Sequence, residues 1–343
     1  MMEILRGDRA IWDLYTRKEE YDPAILDRFG RFPGWAAGNG QILEPLASRY
    51  LLENGLRVEY PRGSPFCICL THDIDHVYRS AGAKLLASLR NLGKGQAGEA
   101  VRELAKARSR KIPWWNFTDI QALEENYGAK STFFFKVQDE SQRDFSYRAT
   151  DVEREIRDLS SSGWEIGFHG GFEDYESPDR IRAKAGLLGE IAGKKVEGYR
   201  SHYINFRIPR TWEAVAAAGI AYDSTLGFAD CAGFRNGMCH PFRPFNLTTG
   251  AELPILEIPP VIMDFSLFYY MRLSDEGAWR LVERLLGTVE RYRGVLTILW
   301  HNTHMAGNRG ALYRKILEYG RDRGAWMTGC GEVARWWADH EKP

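Results

Sequence analysis

"CICLTHDIDHV", residues 67–77, runs an apolar stretch into two aspartates, Asp73 and Asp75, with a histidine on either side of the pair. The apolar part reads as a buried strand. Residues two apart in a strand point to the same face, so Asp73 and Asp75 crowd each other where the strand ends. Neighbouring carboxylates repel and raise one another's pKa unless a cation or a positive side chain lies between them. The stretch therefore asks for a strand that delivers its carboxylates to a metal.

Similar runs recur along the chain: "KSTFFFKV", "WEIGFHG", "VEGYRSHY", "IAYDST", "LEIPPVIMD", "VLTILWHN" and "AWMTGC". Helical-looking segments separate them. "DVEREIRDLSSSG" runs from Asp151 as N-cap to Gly163 as stop, and "PRTWEAVAAAG" ends in the same way at Gly219. Strands alternating with helices imply a parallel sheet covered by helices, and seven or eight such units favour a closed (β/α) barrel over residues 65–343. Residues 1–64 carry "AILDRFGRFPGW" and "ILEPLASRYLLENG", read as short helices that flank or plug the barrel.

Lys+Arg and Asp+Glu both number 46 in the 343 residues, so no global field favours nucleic acid or a membrane. The first two dozen residues mix charges and lack the apolar core and small-residue cleavage site of a signal peptide. The apolar stretch "EIPPVIMDFSLFYYM" is cut by Pro259, Pro260 and Asp264, short of a membrane span. Five cysteines without a Cys-x-x-Cys pair read as reduced thiols of a cytoplasmic protein, with Cys67 and Cys69 as small core side chains.

The polar residues that interrupt the strands fall near their C-terminal ends, the face on which barrel enzymes build their sites. Asp75 and His169 offer oxygen and imidazole ligands suited to zinc or a similar divalent ion. A catalytic zinc takes three protein ligands, and the third candidates are His202, Glu173 and His76. His202 shares a strand face with Arg200, whereas Glu173 requires the loop after His169 to turn into a helix, which favours His202. Arg200 is a permanent cation able to hold Asp73 ionised. Asp223 suits two roles equally, orienting Arg200 or substrate, or capping the next helix. His301 ends an almost wholly apolar strand, where an unpaired histidine is costly and a proton-transfer role fits. His304 and His240 read as loop residues.

Residues 83–111 hold eight Lys/Arg against two Glu between the first two strands, too long for an ordinary βα connection. They read as a basic helical insertion, at about 80–112, docked on the barrel. Its apolar face of Leu85, Leu86, Leu89 and Leu92 also suits peripheral contact with the inner membrane face or a lipid-linked substrate.

Taken in order, "THDID", "HGGFEDY", "RSHY", "DST" and "LWH" resemble the motifs of the polysaccharide deacetylase family, carbohydrate esterase family four, and most of all its exopolysaccharide-associated bacterial branch. The resemblance spans residues 66 to about 302 and implies a distorted (β/α) barrel. It implies Asp73 as general base, Asp75 and His169 as metal ligands, Arg200 as partner of Asp73, His301 as general acid, and a backbone N–H near Tyr203 as oxyanion donor. Two positions depart from the family pattern: Glu173 stands where a second histidine is common, and His202 where proline is common. His202 supplying the missing ligand from another strand couples the two changes. The implied activity is metal-assisted removal of an N-acetyl group from an amino sugar. The alternatives are an O-deacetylase, a small-molecule amidohydrolase, or an inactive carbohydrate-binding protein of a glycan synthesis complex. The sugar, its carrier and the oligomeric state are not legible.

Overall fold

The computed structural model describes residues 1–37, 41–77 and 114–340. The basic insertion expected at about 80–112 lies outside the described residues.

The strands, in chain order, are β1 (Cys67–Ile74), β2 (Thr132–Lys136), β3 (Glu165–Gly170), β4 (Gly198–Ser201), β5 (Tyr222–Asp223), β6 (Phe245–Asn246), β7 (Ala251–Glu252), β8 (Leu256–Glu257), β9 (Pro260–Met263), β10 (Val295–His301) and β11 (Trp326–Thr328). Nine of them form one curled sheet in the order β8-β5-β4-β3-β2-β1-β10-β9, with β11 also on β1. Every pairing in this sheet is parallel. The result is the distorted (β/α) barrel expected, with the "LEIPPVIMD" run split at Pro259 into β8 and β9. The antiparallel β6–β7 hairpin, among residues of mixed polarity, was not foreseen.

β1 explains the arrangement. Along one side it pairs with β10; on the other, Cys67–Cys69 face β11 and Thr71–Ile74 face β2. It is buried along its whole length, as expected of a parallel strand covered on both faces. Ile68 and Leu70 pack into the outer core beneath the helices Asp275–Arg291 and Gly307–Asp322, whereas Cys67 and Cys69 pack inside the barrel with Phe134 and Tyr222. Alternation carries the inward face onward to Thr71 and Asp73. His72, on the outward face, is absorbed by a buried cluster in which it and Tyr313 meet Glu124 Oε1, each at 2.8 Å.

Two local readings are corrected. Asp151 is not the N-cap of the helix Glu153–Ser161; its carboxylate accepts from the Arg148 N–H and closes a separate 3-10 turn, Ala149–Val152. Gly163 does terminate that helix, at φ +86°, where a side chain would be strained. "AILDRFGRFPGW" is irregular apart from one 3-10 turn at Gly34–Ala36, because Asp27 accepts the N–H groups of Phe29 and Arg31 and so competes with a helix.

The N-terminal segment is packed against the barrel. Leu5, Tyr15, Ala47 and Leu51 share a core with Phe206, Trp212 and Phe242. Glu20, buried, accepts from Arg17 Nε at 2.7 Å and Arg235 Nε at 3.0 Å. Glu20→Ala removes the carboxylate shared by two buried guanidiniums and leaves Arg17 only its contact with the part-exposed Glu19, which typically costs roughly 3–5 kcal/mol. Its melting midpoint is expected to fall by roughly 5–10 °C in a thermal scan.

Candidate active site

The parallel register brings the polar strand ends to one level. Asp73 lies opposite His301, and His169 lies between Lys136 and Arg200. All five occupy the last or next-to-last position of their strands.

Asp75 sits at the centre. Its Oδ1 is 3.2 Å from His169 Nε2, 3.4 Å from His202 Nε2 and 3.7 Å from Lys136 Nζ, while Oδ2 is 3.4 Å from His301 Nε2. His169 Nδ1 lies 3.0 Å from the Arg200 carbonyl oxygen, which can only accept, so Nδ1 carries the proton and Nε2 is left as a donor atom for a cation. His202 repeats the pattern: its Nδ1–H donates to Asp144 Oδ2 at 2.5 Å. Two imidazoles fixed in this tautomer by an outer acceptor, converging on a carboxylate oxygen, are a set suited to a divalent cation. The ligand atoms of Asp75, His169 and His202 all lie within 4.8 Å of one another.

Burial opposes ionisation of Asp75, but His202, Lys136 and His169 around it outweigh that cost and hold the carboxyl well below its ordinary range. Asp144 is treated likewise: burial pushes its pKa up, the His202 hydrogen bond and charge pull harder, and it falls to about 2. Both carboxylates are thus held as anions.

Asp73 accepts from Arg200 Nη1 at 3.2 Å and lies 3.6 Å from His169 Nε2. Arg200 is wholly buried, stacked 4.6 Å from the Phe134 ring centre, with Nη2 donating to Thr71 and Ser224 hydroxyls. Such a fork fixes which Asp73 oxygen remains available.

His301 is held from behind. Its Nδ1–H donates to Asp264 Oδ1 at 2.7 Å and its backbone N–H to Asp264 Oδ2 at 2.9 Å, so Nε2 faces the cluster. Burial disfavours the imidazolium, but the charge and hydrogen bond of Asp264, reinforced by Asp75, raise the pKa well above the ordinary histidine value. Asp264 also accepts from His304 Nδ1 at 2.7 Å, and Arg309 donates to the far nitrogen of His304. Asp264, His301 and His304 are close enough to bracket a cation, yet the imidazole protons already occupy both carboxylate oxygens.

The structure therefore brings together Asp73, Asp75, His169, Arg200, His202 and His301, and places Tyr203 on the wall of the same cavity. It does not bring in Glu173, which is exposed and paired with Arg180 at 2.9 Å, because the chain after His169 turns outward. His76 is also exposed, against Trp114. Asp223 is buried, does not line this cavity and caps no helix among the described residues; it accepts from Thr225 at 2.6 Å, shares a hydrogen bond with Glu257 and feels the charge of Arg200. His240 is buried too, bonded to Ser48 and the Arg293 carbonyl.

Burial raises the pKa of both Asp223 and Glu257, and their mutual repulsion raises that of Glu257 well above 4.5. The folded pair thus keeps a proton that the unfolded acids release. Stability from it is full below the unfolded values and lost as pH climbs through the raised ones. Glu257→Gln is expected to flatten the fall of the melting midpoint as pH rises above the ordinary carboxylate range.

Asp144, Asp264 and Lys136 were missed. Asp264 repeats the signature of β1, an apolar strand ended by a carboxylate, and was legible in "PVIMD". Lys136 ends "TFFFK" in the same fashion. Asp144 lies in a polar loop with no periodic signal.

No protein-family model matches the chain, and no curated protein matches it. Among solved structures, a protein from Mycobacterium smegmatis proposed to be a polysaccharide deacetylase superposes with a TM-score of 0.57 at 18% identity, covering 83% of this chain and 94% of that one. The peptidoglycan deacetylase PdaC from Bacillus subtilis aligns at a TM-score of 0.41 and 12% identity, over 80% and 93% of the two chains. A carbohydrate esterase family four pseudoenzyme from Bacillus anthracis aligns at 0.40 and 13%, over 82% and 71%. With its curled parallel sheet and the extent of the first superposition, this chain has the polysaccharide deacetylase fold.

Proposed function

We propose that the protein is a metal-dependent hydrolase that removes an N-acetyl group from an amino sugar of a glycan. The observation that carries this reading is the convergence of His169 and His202, each with its Nε2 freed by an outer acceptor, on Asp75. Asp75, His169 and His202 would hold the cation. When bound, a divalent cation supplies Lewis-acid polarisation of the acyl carbonyl and lowers the pKa of water.

The rest is done by side chains. Asp73, oriented by Arg200, accepts the proton of the attacking water. His301, oriented by Asp264, holds a proton at Nε2 and delivers it to the departing amine. Leu299 and Ile204 line the cavity beside these groups and limit water around them. The carbohydrate part of the reading rests on the resemblance of the motifs and on the deacetylase fold.

The test is elemental analysis of the purified protein before and after zinc loading, combined with acetate release from N-acetylated sugars, O-acetylated sugars and simple amides. About one metal per chain with release from N-acetyl sugars supports the proposal. Release from simple amides alone makes it an amidohydrolase. Absence of bound metal after loading and of acetate release sinks the hydrolase reading and leaves a carbohydrate-binding protein.

A further inference from the structure

The cavity above Asp73 and Asp75, about 220 Å³, is walled on one side by the N-terminal loop, through Arg28, Phe29 and Arg31. Nothing in the hydrolytic chemistry requires this loop, and its attachment is specific. Arg31, almost wholly buried, donates to Asp27 Oδ2 at 2.8 Å, to the Tyr203 carbonyl at 2.7 Å and to the Tyr270 hydroxyl at 3.1 Å. One guanidinium thus clamps the loop to two opposite walls. Phe29 then lies flat on Tyr203, with ring centres 5.5 Å apart and planes 9° apart, and Tyr203 lies on His202 at 3.9 Å. Three stacked rings lead outward from the ligand cluster. Tyr203 and the neighbouring Ile204 adopt φ of +60° and +53°, strain for which this stacking is a reason.

The charges of the wall sort themselves. Asp73 is engaged by Arg200, Asp75 by Lys136 and the histidines, and Arg31 by Asp27. Arg28 is exposed, its guanidinium 4.8 Å from the Phe29 ring centre, with no hydrogen bond or ion pair among the described residues. At about 220 Å³ the cavity is smaller than the roughly 300 Å³ at which ordinary ligand pockets begin, so a sugar ring with its acyl group fills it. Arg28, exposed on the wall of this cavity, is placed to meet what that ring is attached to. A planar guanidinium steadied on an aromatic face is suited to a forked grip on phosphate or carboxylate.

We propose that the Asp27–Arg31 loop is part of the substrate site, and that the amino sugar received there carries an anionic substituent, phosphate or carboxylate, bound by Arg28. This inference rests on the deacetylase reading for the sugar and on the geometry of the loop for the charge.

The experiment is equilibrium calorimetry on the full chain with N-acetylglucosamine, N-acetylglucosamine 1-phosphate, an N-acetylated amino uronic acid and inorganic phosphate. Wild type, Arg28→Gln, Arg28→Lys and Phe29→Ala are compared. In wild type a charged sugar is expected to bind at least tenfold more tightly than the neutral one, with the phosphate and uronate arms identifying the anion. Arg28→Gln brings the ratio to near one, and Arg28→Lys keeps part of it. Because Arg28 is exposed and has no hydrogen bond or ion pair among the described residues, the melting temperature of Arg28→Gln should match wild type to within a degree or so, which keeps misfolding from imitating the result. Phe29→Ala weakens all the sugars together. Equal affinity for charged and neutral sugars, a preference that survives Arg28→Gln, or inorganic phosphate binding as tightly as the sugar phosphate each overturns the proposal. Binding is read without turnover: acetate release with no charge preference sinks only this inference, and a charge preference without acetate release sinks only the hydrolase.

Discussion

His202→Ala is expected to emerge from zinc loading and dialysis with its metal lost, and to release acetate about a thousandfold more slowly than wild type. The second figure corresponds to about 4 kcal/mol of transition-state stabilisation, the scale of a Lewis-acid contribution. The reason is the ligand count: without His202 the cluster retains only Asp75 and His169. Asp144→Ala is expected to be milder, a 10–100-fold loss of metal affinity, since it removes the acceptor that fixes the His202 tautomer while leaving the ligand in place. Glu173→Ala should change neither quantity, because Glu173 faces solvent against Arg180. Elemental analysis and an acetate assay on the same preparations decide it. Metal retained in His202→Ala but lost in Glu173→Ala would reassign the third ligand.

Lys136→Met is expected to bind zinc 10–100-fold more tightly than wild type, measured by competition with a chromophoric chelator. The Lys136 ammonium is almost wholly buried and 3.7 Å from Asp75 Oδ1, an oxygen the cation must share. At an effective dielectric near 20, a positive charge at such range opposes a divalent ion by several kcal/mol. Part of this is returned because the mutation also removes a partner of Asp75, leaving a net gain of roughly 1–3 kcal/mol. Methionine preserves the length and packing of the stem. An unchanged affinity would show that the ammonium leaves Asp75 when metal arrives. In the protein as it stands, Arg200 and Lys136 balance Asp73 and Asp75 charge for charge, so the site tolerates the metal-free state that the crowding of two aspartates seemed to forbid.

That balance marks what the sequence could and could not disclose. Strand ends are legible because apolar runs terminate in polar residues there, and alternation sorts Asp73 with Asp75 and Arg200 with His202 onto common faces. His202 was preferred over Glu173 on the same ground. What escaped were residues whose role depends on register between distant strands or on loop paths. Lys136 reaches Asp75 because β2 lies beside β1, and Asp264 reaches His301 because β9 lies beside β10. Asp223 went the other way: it sits in β5, but its side chain turns to Glu257 within the protein. The N-terminal loop departs from the expected helix because Asp27 folds it back on itself.

The pairing of β1 with β10 and β11 has a consequence for biosynthesis. Asp73 and His301 are neighbours across a ladder, yet the ribosome makes them far apart in time. At roughly 5–20 residues per second, tens of seconds separate the emergence of the carboxylate pair from that of β10. Throughout that interval β1 has open edges, and the partners that complete the centre do not exist. The half-made chain therefore holds an incomplete cluster, and its longest exposure to misassociation comes while a strand destined for complete burial waits for partners synthesised near the end.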